Sequence, residues 1–173
     1  MAATTEAAAT AEDIDSRLKR MEACEGIRSA IYSYAMAGDR GNDPAIVRKL
    51  FTDDGVFEAK GMGRFEGLEN IVAGLEAIAR NVVVWSFHAP SGPLIKLAAG
   101  SQSAEVFWWV WVPASMRNEL GEVVPLWGAA HYIAEMIDSG GQWKFKRVLL
   151  ETRLRTPFQG PWTQIEGPFQ WLT

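Results

Sequence analysis

The sequence predicts an α+β fold in which a curved antiparallel sheet wraps over about three N-terminal helices and encloses a central pocket. Apolar residues recur at helical spacing through most of the first half, and long β-type runs fill the second. Short turn-like links, AAGSQS, MRNELGE and SGGQ, join those runs, as antiparallel neighbours require. Eight tryptophans in 173 residues, three of them within VFWWVWVP, exceed the needs of an ordinary core. They point to a broad apolar pocket, a subunit interface, or both.

From Asp13 to about Glu22 the spacing predicts a helix with Ile14, Leu18 and Met21 on one face, ended by a break at Gly26. A second helix is expected from about Ile27 to Ala37, presenting Ile27, Ile31, Tyr34 and Ala35; Gly38 ends it and Asp39 falls just beyond. Asp43-Pro44 is an N-cap followed by proline at the first helical position, and starts a short helix through Phe51. Val56–Glu58 and Arg64–Glu66 form a hairpin about a turn at Lys60 to Gly63. LENIVAGLEAIARN returns to helical spacing, with Ile71, Leu75 and Ile78 on one side. Four long strands follow as a meander: Val82–Leu97, Ala104–Pro113, Val123–Asp138 and Trp143–Arg155.

The length suits one domain, expected over residues 13–158, with a flexible tail at 1–12 and an aromatic extension at 159–173. That extension is expected to cover the pocket or a neighbouring subunit. A net charge of −4 without a basic stripe argues against nucleic acid. No apolar run reaches the length of a membrane span, and the N-terminus lacks the pattern of a signal peptide. The single Cys24 rules out an internal disulfide, fits a reducing cytoplasm, and has no ligand-spaced neighbours for zinc. The acidic Asp53, Asp54 and Glu58 read as solvated turn residues rather than metal ligands, so no metal is expected. HExxH, P-loop and GxGxxG motifs are absent, which removes the support for zinc-protease and nucleotide readings.

Asp39 and His88 are the residues on which a function turns. A histidine held by a carboxylate from a distant helix is a common acid/base device near neutral pH. Taken alone, Asp39 reads as the end of a helix and His88 as a hydrogen-bonded strand histidine. The wider context changes that balance. The element order, with GDRGNDPAIVRKLFTDDGVFE near its start, resembles the SnoaL-like branch of the NTF2-like superfamily over about Asp13 to Phe158. The branch includes scytalone dehydratase, the bile-acid 7α-dehydratase and the lindane dehydrochlorinase, cofactor-free lyases whose pocket lies inside a cone of sheet and helices.

The resemblance implies a cone-shaped fold, no cofactor, and a catalytic set of Tyr34, Asp39 and His88. In the bile-acid enzyme the functional Tyr and Asp lie five residues apart at the end of the second helix, as Tyr34 and Asp39 do. His88 matches the family histidine on the strand after the third long helix. Arg153 or Arg155 would correspond to the family's late-strand cation. The dehydrochlorinase carries Lys where this chain has Tyr34, and Trp where it has Phe51, so the resemblance names no substrate.

The remaining candidates come from strand alternation. His131 alternates with Trp127, Ala129 and Ile133 on a face that could line the cavity, as a second acid/base group or as a core or interface histidine. Tyr132 points the other way. Phe107/Trp109/Trp111 and Val106/Trp108/Val110 occupy opposite faces, one expected on the cavity and the other on an oligomer contact. Trp85, Trp109, Trp111 and Trp127 are the expected stacking surface for an aromatic or polycyclic substrate.

The function expected is a cofactor-independent lyase: a dehydratase, a dehydrohalogenase or a formaldehyde-releasing lyase, the last known among SnoaL-like enzymes of lignin-derived aromatic catabolism. The chain is expected to act as a cytoplasmic homodimer or homotrimer on a hydrophobic small molecule, with no nucleic-acid or membrane partner. Two alternatives stand beside it. One is a ketosteroid-type isomerase, which needs an aspartate base deep in the sheet. The other is a non-catalytic assembly subunit like the β subunit of ring-hydroxylating oxygenases, whose cone is filled with side chains.

Overall fold

The computed structural model describes residues 13–158. The tail expected at 1–12 and the aromatic extension expected at 159–173 lie outside the described residues. The elements run α1 (Ile14–Asp39), α2 (Pro44–Leu50), β1 (Phe51–Ala59), β2 (Gly63–Glu66), α3 (Leu68–Asn81), β3 (Val83–Ser86), β4 (Ala89–Pro90), β5 (Leu94–Leu97), β6 (Ser103–Trp111), β7 (Ala114–Arg117), β8 (Val123–Asp138) and β9 (Trp143–Pro157). Three helices packed against one large curved, unclosed sheet form the α+β cone.

Where two helices were expected there is one. Asp13 caps α1 by accepting the Ser16 N–H at 2.9 Å, and the helix runs through Gly26 to Asp39. Glycine lowers helix propensity, but here it makes room: a Cβ on Gly26 would lie 2.6 Å from Cδ1 of Trp143. Tertiary packing therefore overrides the local break. Ile14, Leu18 and Met21, expected as an apolar face, are exposed; the buried face begins at Ala23 and continues through Ile27, Ile31 and Tyr34.

Asp43 caps α2 through the Ala45 N–H. The helix ends at Leu50, so Phe51 opens β1 rather than closing a helix. Asp53 and Asp54, read as turn residues, are exposed positions within β1. The β1–β2 hairpin and α3 fall where expected. The long run at Val82–Leu97 breaks into β3, β4 and β5, and β7 occupies a stretch read as part of a link.

The sheet order is β2-β1-β9-β8-β6-β4, with β3 joined through β7 to β8 and β5 paired with β6. Pairing is antiparallel except for β1 on β9, which is parallel, so the sheet is mixed rather than wholly antiparallel. The concave face carries Val106, Trp108, Val110, Tyr132, Ala134, Met136, Phe145 and Val148 against Ile27, Ile31, Val47 and Ile71 of the helices. Each large apolar side chain buried there contributes on the order of 1.5–3 kcal/mol. Among the described residues no helix is long and apolar enough to cross a membrane.

Candidate active site

The sequence GDRGND turns the chain sharply at the end of α1. Gly41 (φ 71°) and Asn42 (φ 57°) both adopt the left-handed conformation, which glycine and asparagine tolerate best. The Asn42 side-chain amide donates to the Leu75 carbonyl at 2.8 Å, tying the turn to α3. This places Asp39 on the last helical turn, facing the segment between β3 and β4 that carries His88.

One oxygen of Asp39 makes both contacts with His88. Oδ1 accepts the His88 backbone N–H at 2.8 Å and lies 2.7 Å from the ring Nδ1. An ionised carboxylate can only accept, so Nδ1 carries its proton and donates, leaving the lone pair of the neutral imidazole on Nε2. Gly38 makes this possible, because a Cβ there would lie 2.7 Å from Cε1 and 3.0 Å from Nδ1 of His88. The two side chains are 20% and 28% exposed, enough shelter to hold a geometry and enough opening to meet a ligand.

Both residues border a cavity of about 210 Å³. Its walls are mostly apolar, from Phe57, Leu75, Ile78, Val110, Leu126 and Leu150, and its polar groups include Tyr34, Asn42, Ser86, Tyr132 and Thr152. Tyr34 and Tyr132 meet edge to face, with ring centroids 5.9 Å apart and nearly perpendicular. Trp108 stacks on Tyr132 at 4.7 Å, and Phe51 and Phe145 meet Tyr34 edge-on. Burial pushes both phenols above their ordinary value, Tyr34 strongly. Both are therefore neutral hydroxyls able to donate to a ligand.

Of the residues singled out from sequence, the structure brings Tyr34, Asp39, His88, Trp85 and Arg155 to the cavity, with Arg155 at its exposed end. Others stand elsewhere. Trp109, Trp111 and Trp127 do not line it; Trp109 and Trp111 are 47% and 41% exposed on the opposite face of the sheet. Their side chains alternate with the buried Val106/Trp108/Val110 set, so only one set can face the helices. Of the two readings of His131, the cavity-lining one fails and the core or interface one fits: it is buried on the outer face between Phe107 and Trp109, with Nε2 3.0 Å from Glu151 Oε2. The ion pair with Lys60, assisted by His131, holds the Glu151 carboxyl below its usual range. Arg153 is the extra residue where the β8–β9 register shifts and also lies off the cavity.

Sequence reasoning missed Tyr132, Asn42, Ser86 and Thr152. For Tyr132 the signal was present, since it is opposite in phase to His131 and in phase with Ala130 and Ala134. Which phase faced inward was not readable, because both faces of β6 and β8 are apolar. Among the described residues no group of three or more His, Cys, Asp or Glu is placed to hold a metal ion.

A model of the SnoaL-like domain matches residues 19–148. No curated protein sequence matches the chain. Among solved structures, a type 2 hexachlorocyclohexane dehydrochlorinase (LinA) is similar over 88% of this chain and 100% of its own, with a TM-score of 0.78 and 17% identity. LinA type 3 from Novosphingobium barchaimii LL02 is similar over 84% and 97%, at a TM-score of 0.71 and 19% identity. A scytalone dehydratase-like protein from Novosphingobium aromaticivorans DSM 12444 is similar over 91% and 100%, at 0.66 and 22%. At these identities the likenesses show a shared fold.

Proposed function

The chain belongs to the SnoaL-like domain family, and on that footing we propose that it is a cofactor-independent lyase acting on an apolar, aromatic or polycyclic small molecule. The observation that carries the reading is the His88–Asp39 pair at the edge of an open, largely apolar cavity. His88 Nε2 would take a proton from the substrate, and Asp39 would hold the ring in the right tautomer and stabilise the imidazolium that forms. In a dehydration or dehydrohalogenation the proton comes from carbon. The C–H electron pair becomes the new π bond, and hydroxide or halide leaves the adjacent carbon with its bonding pair. In a formaldehyde-releasing reaction of a 1,3-diol the proton comes instead from the primary hydroxyl: its O–H pair becomes the C=O bond of formaldehyde, the C–C pair becomes a new C=C bond, and hydroxide leaves the next carbon with its bonding pair.

In each case negative charge develops on a leaving group or an oxyanion. The Tyr34–Tyr132 pair supplies a neutral, buried donor for it, which is worth more in an apolar cavity than in water. Arg155 would share that task from the cavity's exposed end. Trp85 offers an indole to a flat ring.

The open cavity and the contact between Asp39 and His88 favour this reading over a filled, non-catalytic cone. A ketosteroid-type isomerase has less support, because Asp39 is the sole carboxylate in the lining among the described residues and it is engaged by His88. The test is a panel of aromatic β-hydroxy, β-halo and 1,3-diol compounds, with products read by mass for loss of water, hydrogen halide or formaldehyde. Turnover that disappears in His88→Gln supports the assignment. Turnover that survives in both His88→Gln and Asp39→Asn would sink it.

A further inference from the structure

The turn GDRGND carries a side chain that its backbone does not call for. Asn42 stands at φ 57°, directly after Gly41 at φ 71°. Glycine takes that conformation without the crowding an L side chain meets, so the backbone alone would favour a second glycine at 42. The turn is also closed by main-chain bonds: the Gly41 N–H donates to the Gly38 carbonyl and the Asp43 N–H to the Ala37 carbonyl, each at 3.1 Å. α2 then starts on its own cap, the Asp43 carboxylate. Neither the bend nor the helix after it depends on an amide at 42.

That amide is held in one orientation. Its Nδ2 donates to the Leu75 carbonyl at 2.8 Å. The carbonyl lies within α3, where helix geometry already gives it the N–H of Ala79, so the extra bond relieves no unpaired acceptor. What the bond fixes is the amide itself. With the nitrogen on α3, the oxygen is the end left without a partner among the described residues. Asn42 borders the cavity along with Leu75, Ile78 and Ala79 of α3, so its one unengaged polar atom stands at an apolar wall.

The other polar side chains of the cavity do not make the same demand. The hydroxyls of Tyr34, Ser86, Tyr132 and Thr152 can each donate or accept, and Arg155 can only donate. Asp39 can only accept, but it is engaged by the main chain and ring of His88. Among the described residues, Asn42 Oδ1 is thus the one side-chain oxygen of the lining that stands outside the catalytic set and can only accept. An apolar ring pressed against it removes its water and leaves it unpaired unless the ring brings a donor. A ring hydroxyl brings one; a methoxy group in the same place does not. A site built this way rejects the analogue lacking the donor more sharply than an apolar pocket rejects a change of size.

We infer that Asn42 is a specificity-determining residue, whose amide oxygen accepts a hydrogen bond from a hydroxyl on the substrate's ring framework, separate from the group that leaves near His88. Recognition of a substrate ring here rests on the lyase reading, whereas the test reads binding and needs no turnover, so the two can fail separately. The probes are 2-naphthol and 2-methoxynaphthalene, flat bicyclic compounds that differ by one donor, measured by equilibrium dialysis against the full-length protein. The wild type is expected to hold 2-naphthol about tenfold more tightly or better. Asn42→Gly suits the left-handed turn but removes the acceptor, and should bring the two affinities within about twofold. Asn42→Asp also tolerates the turn and keeps an accepting oxygen, so the preference should survive. Both variants lose the bond to Leu75, and a merely structural amide would therefore change them alike. Thermal melts beside the dialysis separate lost recognition from lost fold. A wild type without the preference overturns the inference, as does a preference that persists in Asn42→Gly or disappears equally in both variants. A preference that follows Asn42 in a protein with no turnover on the compound panel would uphold the recognition role and remove the lyase reading.

Discussion

A single carboxylate oxygen of Asp39 holds both the main chain and the ring of His88, at 2.8 Å from the backbone nitrogen and 2.7 Å from Nδ1. The backbone bond sets where the β3–β4 segment lies, and the ring bond sets which imidazole nitrogen is left to act. Position and tautomer thus depend on one atom at the end of α1.

Removing either partner should separate chemistry from folding. His88→Gln keeps a donor for Asp39 but lacks the base, and turnover is expected to fall about 10²–10⁴-fold. Asp39→Asn frees the tautomer and is expected to cost about 10²-fold or more. Steady-state kinetics on whichever compound the panel identifies, beside thermal melts, checks both. Equal losses of activity and stability would make the pair merely structural.

Gly38→Ala reports on the same geometry from behind. An added methyl would lie 2.7 Å from the His88 ring, and the partly exposed ring would have to swing away. In the helix the change from glycine contributes about 0.5–1 kcal/mol of stability. The expected result is a variant that melts no lower than wild type yet loses most of its turnover. Unchanged kcat would show that the ring position is not needed.

Gly26→Ala should behave oppositely. Its methyl would meet Trp143 Cδ1 at 2.6 Å, and Trp143 is buried. Overpacking costs about 1–3 kcal/mol, against about 0.5–1 kcal/mol gained in helix propensity. A net loss of about 1–2 kcal/mol, read from urea unfolding with an unchanged m-value, is expected, with activity retained.

Tyr34 and Tyr132 predict an alkaline limit to stability. Burial raises both phenols, so the folded chain keeps those protons while the unfolded chain releases them above about pH 10. In that range the native state binds more protons than the unfolded one, so stability is full below about pH 10 and falls as pH rises above it. The slope is at most about 1.4 kcal/mol per pH unit for each phenol. Chemical denaturation from about pH 9 upward should show a shallower decline in the Tyr34→Phe/Tyr132→Phe double variant. Parallel curves would mean that the phenols do not govern it.

Much of this was legible before folding was considered. The helix start at Asp13, the cap at Asp43, the β1–β2 hairpin, α3 and the strand turns rest on local chemistry, in which turn residues, caps and periodicity depend on near neighbours. Tyr34, Asp39 and His88 could be selected, because residues of suitable chemistry stood in a recognisable order. The break expected at Gly26 did not occur, because what decides that position is Trp143, which lies more than a hundred residues further on.

By itself, then, the sequence determined the α+β class, the order of most elements and the residues able to carry acid/base chemistry. The tertiary structure alone decided which face of β6 and β8 turns inward, and with it that Tyr132 rather than His131 meets the cavity. The physical reason is the two-residue period of a strand. Alternation states that neighbours part company, but when both faces are apolar it does not state which one the helices cover.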